Sequence, residues 1–128
     1  MNILLSDSNN EVTSALRLVL EQKHDFTISG EANDLISLFS SITQRCPDVV
    51  ILDIDIHGLK PFRGESKNGL AKLMDTVHQL CPFIYVIALS SLPNLEQSCL
   101  QAGANAFACK SDPPDRLLYH LDNLTKKK

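Results

Sequence analysis

Five short apolar runs, each followed by a stretch of helical period, constrain this chain more than any other feature. The runs are Asn2 to Leu5, Phe26 to Ser29, Val49 to Leu52, Ile84 to Leu89 and Ala106 to Cys109. Most are near-continuous rather than alternating in polarity, the pattern of strands covered on both faces and hence of a parallel sheet. Between them, Val12, Ala15, Leu16 and Val19 line one helical face, and Leu35, Leu38, Phe39 and Ile42 a second. Leu70, Leu73, Met74 and Val77 line a third, Leu117, Leu118, Leu121 and Leu124 a last, and Leu95, Cys99 and Ala102 mark a shorter helix. Strand and helix alternating five times predict a doubly wound α/β fold, a five-stranded parallel sheet with helices on both faces.

The 128 residues suffice for one domain spanning 1–128 with a core of its own. Asn9 or Asn10 can cap the first helix, Asn33 or Asp34 the second, and Ser111 or Asp112 the last, where Pro113 and Pro114 stand near the start. A net charge of −3 gives no general attraction to nucleic acid or to an anionic membrane, so a DNA-binding role needs another domain. No segment has the flanks of a signal peptide or the length of a bilayer span, so the expected location is the cytoplasm. Cys46, Cys81, Cys99 and Cys109 lack zinc spacing and are expected to be buried, reduced thiols. Lys126 to Lys128 read as a solvated tail or the start of a linker.

In an open parallel sheet, sites form at the carboxyl ends of the strands, near the point where strand order reverses. The first strand ends at Ser6, Asp7 and Ser8, the third at Asp53 and Asp55, the fourth at Ser90 and Ser91, and the fifth at Lys110. Carboxylates at such a site suit a hard divalent ion such as Mg²⁺, and an ammonium with a hydroxyl opposite suits phosphoryl oxygens. The combination points to phosphoryl transfer to or from a carboxylate. Taken singly, Asp7 or Asp55 is more often a helix cap or a solvated loop acid, Ser90 a turn residue and Lys110 a surface charge. Asp53 is the least easily dismissed, because it ends the most hydrophobic run. No glycine-rich phosphate loop, HExxH or GxSxG is present, and His24, His57, His78 and His120 share no ligand spacing.

The segments "NILLSDSNNEVTSALRLVL", "CPDVVILDIDIHG", "YVIALSS" and "AGANAFACKSDPPDRLL" stand in an order that resembles a response-regulator receiver domain of two-component signalling. The resemblance spans essentially the whole chain and is best to receivers of helix-turn-helix output regulators, although the chain ends before any such domain. It implies a flavodoxin-like (βα)5 fold and Asp53 as phosphoacceptor for a sensor histidine kinase or phosphotransfer protein. It further implies Asp7, Asp53 and the backbone of Asp55 around Mg²⁺, Lys110 on the phosphoryl oxygens, and Ser90 with Phe107 as the switch pair. The expected readout is an output domain or target protein, with self-phosphotransfer and self-dephosphorylation as the only chemistry. Dimerisation is common in the family, but no residue here compels it.

Three departures from the family pattern stand out. Ser8 replaces the second acid of the usual pair, which predicts weaker Mg²⁺ binding unless the Asp55 side chain compensates. A polar stretch from Ile54 to Lys67, with His57, Gly58, Lys60, Arg63 and Glu65, is longer than the family's turn, and can serve the site, a partner or neither. Ser111 replaces the proline that commonly follows the lysine. Two rival readings stay open: an atypical receiver that works by partner contact without phosphorylation, and, from the "DIDI" run, a haloacid-dehalogenase-type phosphatase.

Overall fold

A computed structural model of the chain describes residues 1–7, 9–23, 25–55 and 69–126. Strands β1 (Asn2–Ser6), β2 (Thr27–Ala32), β3 (Val49–Asp53), β4 (Tyr85–Ser90) and β5 (Ala106–Cys109) form one parallel sheet in the order β2-β1-β3-β4-β5. Helices α1 (Asn10–Glu21), α2 (Leu35–Gln44), α3 (Gly69–Leu80), α4 (Glu96–Ala102) and α5 (Asp115–Lys126) connect and follow the strands. The chain steps from β1 to β2 on one side and returns to β3 on the other. That reversal opens a crevice beyond the carboxyl ends of β1 and β3.

Strand pleating sends successive side chains to opposite faces, so the sheet divides its apolar residues between two cores. Leu4, Val50, Leu52, Val86, Ala88 and Phe107 meet Leu38 and Ile42 of α2, Leu73 and Val77 of α3 and Cys99 of α4. On the opposite face, Ile3, Leu5, Val49, Ile51, Ile87 and Leu89 pack with Leu20 of α1 and with Leu117 and Leu121 of α5. β3 is buried at every position, which explains its unbroken apolar run. The edge strand β2 instead alternates exposed and half-buried residues.

Local signals set the element ends. Asn9 caps α1 by accepting from the Glu11 N–H at 2.9 Å, and Asp34 with Ser37 forms a capping box on α2. Gly103 ends α4 at φ +120, where a Cβ would also lie 3.2 Å from Met74. The Asn105 side chain accepts from the Val86 N–H at 2.9 Å and extends the pairing of β4 just ahead of β5.

Four expectations are corrected. Cys46 and Cys81 are joined in a disulfide, because the turns that close α2 and α3 bring their Cα atoms to 5.7 Å, a proximity that 35 residues of separation conceal. Cys99 and Cys109 are free and buried. The α5 helix begins at Asp115, beyond Ser111 and Asp112, with the Pro114 carbonyl accepting the Leu118 N–H. It also runs through Lys126, so the basic tail begins inside a helix. On α1 Val12 and Leu16 of the expected face pack half-buried against this second core, but Ala15 is exposed, the fully buried residues are Thr13 and Leu20, and the stripe borders a groove of about 340 Å³ against Leu89, Ala108 and Leu117. Among the described residues no helix is long and apolar enough to cross a membrane.

Candidate phosphoacceptor site

Asp7 immediately follows β1 and Asp53 ends β3, so the crevice places both carboxylates at the switch point of the sheet. Both are almost fully buried, at 2% and 1% exposed. Buried acids require compensation. Each obtains it in the same two ways. Asp7 Oδ1 accepts from the Asn9 N–H at 2.8 Å, and Asp53 Oδ1 accepts from the Asp55 N–H at 3.0 Å. The remaining oxygens, Asp7 Oδ2 and Asp53 Oδ2, each lie 3.1 Å from Lys110 Nζ. The lysine follows β5 directly and is fixed at its root by a 2.7 Å hydrogen bond from its N–H to the Ser90 carbonyl.

Two carboxylates share one ammonium, and the site's acidities follow. Burial pushes Asp53 up from 3.8 to about 6; the Asp55 amide and Lys110 oppose the rise, while the neighbouring charge of Asp7 adds to it. Burial draws the Lys110 ammonium downward, but the attraction of Asp53 and Asp7 outweighs it and holds its pKa above the ordinary value. Asp53 is therefore a carboxylate that titrates near neutrality, beside a cation able to face an anion.

Ser90 ends β4 and is fully buried; its Oγ accepts from the Leu92 N–H at 3.1 Å. Phe107 is 1% exposed, its ring within the core beneath α4. Asp55 is exposed and reaches the site through its backbone N–H. Ser8, His24, His57, Gly58, Lys60, Arg63, Glu65 and Lys67 lie outside the described residues. The Lys110–Ser111 peptide is trans, and Ser111 Oγ lies 3.0 Å from Cys109 Sγ.

Sequence reasoning missed the two backbone amides that hold the acids. An Asp accepting from the N–H two residues ahead is a local turn habit, so the spacing Asp7 to Asn9 and Asp53 to Asp55 carried the signal. It also missed a cavity of about 90 Å³ beside Asp7, lined by Asn10, Thr13, Glu31 and Asn33. Among the described residues no cluster of three or more His, Cys, Asp or Glu side chains surrounds a metal position. Among the described residues, Asp7 Oδ2 and Asp53 Oδ2 nevertheless have no polar partner other than the lysine they face. Two carboxylates are the donor number that Mg²⁺ ordinarily takes from a protein, so the set fits that ion.

No family model matches the chain. It is 24% identical over 127 residues to a nitrate/nitrite response regulator protein homolog of Haemophilus influenzae, covering 98% of this chain and 57% of that protein. It is 25% identical over 124 residues to the DNA-binding transcriptional activator EvgA of Escherichia coli, covering 95% of this chain and 56% of EvgA. The isolated REC domain of RcsB from Salmonella enterica superposes with a TM-score of 0.82 at 24% identity, over 100% of this chain and 90% of that one. The chain spans about half the length of the curated relatives it matches.

Proposed function

We propose that this chain, a response-regulator receiver domain, accepts a phosphoryl group on Asp53 from a phosphohistidine of a partner kinase or phosphotransfer protein. The observation that carries the reading is the pairing of Asp53 Oδ2 with Lys110 Nζ at 3.1 Å at the mouth of the switch-point crevice. In the transfer, Asp53 Oδ2 forms the new bond to phosphorus as the histidine nitrogen leaves with its electron pair. Lys110, already between the two acids, turns from neutralising Asp53 to neutralising a phosphoryl oxygen. The Asp55 amide keeps the other carboxylate oxygen in place, so the nucleophile presents one defined lone pair.

When bound, Mg²⁺ would supply neutralisation of charge on the phosphoryl oxygens. Asp7, Asp53 and the backbone of Asp55 are the groups here that would hold it. With Ser8 at the position of the usual second acid, affinity is weaker than is common for such sites, and the Asp55 carboxylate, two residues after Asp53, is the group that offsets the loss. The phosphoryl group then draws the Ser90 hydroxyl away from the Leu92 amide, which alters the surface around α4, β5 and α5 for an output domain or target protein. A DNA-binding output is the reading that EvgA supports. The chemistry stays on the chain itself, without turnover of an external phosphate ester.

One observation favours a second reading, a receiver that acts by partner contact without phosphorylation. Phe107 is already inside the core, so its share of the switch is in place without a phosphoryl group. Reductive trapping discriminates the two. Borohydride converts an aspartyl phosphate to homoserine, and peptide mapping after incubation with a phosphorylated kinase places that residue at position 53 under the first reading and finds none under the second.

A further inference from the structure

The end of the sheet opposite Asp53 carries a bonded cysteine pair whose chemistry this function leaves unused. Cys46 follows α2 and is exposed, whereas Cys81 closes α3 and is 2% exposed. Their Cα atoms are 5.7 Å apart and the sulfurs are bonded. That separation lies within the window in which a disulfide forms without backbone movement. Cys81 is seated by its turn, donating its N–H to the Val77 carbonyl at 2.9 Å and accepting from the Ile84 N–H at 3.1 Å.

We propose that Cys46 and Cys81 form a redox modification site that cycles between dithiol and disulfide by exchange with low-molecular-weight disulfides and thiols. The asymmetry of exposure sets the direction of attack. In oxidation the Cys46 thiolate attacks a small disulfide and releases one small thiolate. The Cys81 thiolate then attacks the Cys46 sulfur and releases the second. Two electrons pass to the small disulfide, and the two cysteine protons end on the two released thiols. In reduction a small thiolate attacks the sulfur of Cys46, the more exposed residue of the pair, Cys81 leaves, and a second small thiolate frees Cys46. Cys99 is excluded from this chemistry by its burial, which with the charge of Asp55 pushes its thiol up to about 11.

The bridge closes a separation of 35 residues that contains β3, Asp53 and α3. Oxidation therefore restricts the unfolded chain over the acceptor segment while touching nothing in the crevice itself. The predicted consequence is a Tm higher by roughly 5–15 °C in the oxidised protein.

The test equilibrates the native chain, started fully reduced and fully oxidised, in mixtures of reduced and oxidised glutathione. Acid quenching, denaturation, maleimide labelling and intact mass then count thiols. The chain has four cysteines, so four labels mark the dithiol and two the disulfide. The expected result is one curve between four and two labels from both directions, a linked peptide pair containing Cys46 and Cys81, and the rise in Tm. Cys46→Ser, an exposed substitution, should keep three labels in every mixture. The proposal is overturned if the native reduced chain keeps four labels in oxidised glutathione. It is also overturned if Cys46 stops at a glutathione adduct, or if the bridge opens only after unfolding.

Discussion

Asp7 and Asp53 are held alike: each gives one carboxylate oxygen to the backbone N–H two residues ahead and the other to Lys110 Nζ at 3.1 Å. Strands β1 and β3 supply the acids side by side, while the lysine arrives from β5, with β4 between. A single ammonium therefore ties three strand ends together. The same contacts that make the crevice reactive hold the top of the sheet closed.

Replacing the lysine separates these roles. Lys110→Met leaves two buried carboxylates with no counter-charge, which costs on the order of 3 kcal/mol. The cost should be greatest near pH 8 and shrink towards pH 5, because Asp53 then takes a proton and the repulsion ends. Urea titrations across that range measure it, and a pH-independent loss would contradict the shared-cation geometry.

The Asp53 carboxylate itself lowers stability at neutral pH. Its folded pKa of about 6 stands above the ordinary 3.8, so between those values the native state holds a proton that the unfolded chain has released. Stability contributed by this group thus falls as pH rises from about 4 to 6. Asp53→Asn removes the ionisation and should stabilise the protein above pH 6, by on the order of 2 kcal/mol, with the two proteins converging near pH 4.

Ser6 offers a third check. Its Oγ is buried and has no hydrogen-bond partner among the described residues, directly after the apolar Ile3, Leu4 and Leu5 of the same strand. Ser6→Ala should raise stability by about 1 kcal/mol in denaturant titrations. A loss of similar size would mean that the hydroxyl has a polar partner.

Mg²⁺ affinity tests the compensation for Ser8. Asp55→Asn keeps the backbone that holds Asp53 and removes only the exposed acid. Calorimetry should show a dissociation constant for Mg²⁺ raised by roughly tenfold, about 1.4 kcal/mol. An unchanged constant would leave Asp55 as a loop acid.

Much of this architecture was legible because apolar runs and helical periods report burial directly. The unbroken Val49 to Leu52 run became the central strand, and the Leu35, Leu38 and Ile42 spacing the buried face of α2. The α1 stripe was only partly right: Val12 and Leu16 pack half-buried against the core, but a groove lies between the stripe and Leu117 of α5, and no local pattern encodes that gap. The Cys46–Cys81 bond was invisible because two separate turns create it. At the site, residue types placed Asp7, Asp53 and Lys110 at strand ends, but only coordinates place one ammonium between both acids. Ser90 engaged with Leu92 and Phe107 already buried belong to side-chain packing that spacing does not record.

Phosphoryl uptake tests the central claim most directly. The chain and its Asp53→Asn variant would be incubated with Mg²⁺ and a small acyl-phosphate donor, and their intact masses recorded at pH 7 to 8, where Asp53 is ionised. The account predicts a single phosphoryl adduct on the unaltered chain and none on the variant. An adduct on both proteins, or on neither at high Mg²⁺, would contradict the assignment of Asp53 as the acceptor.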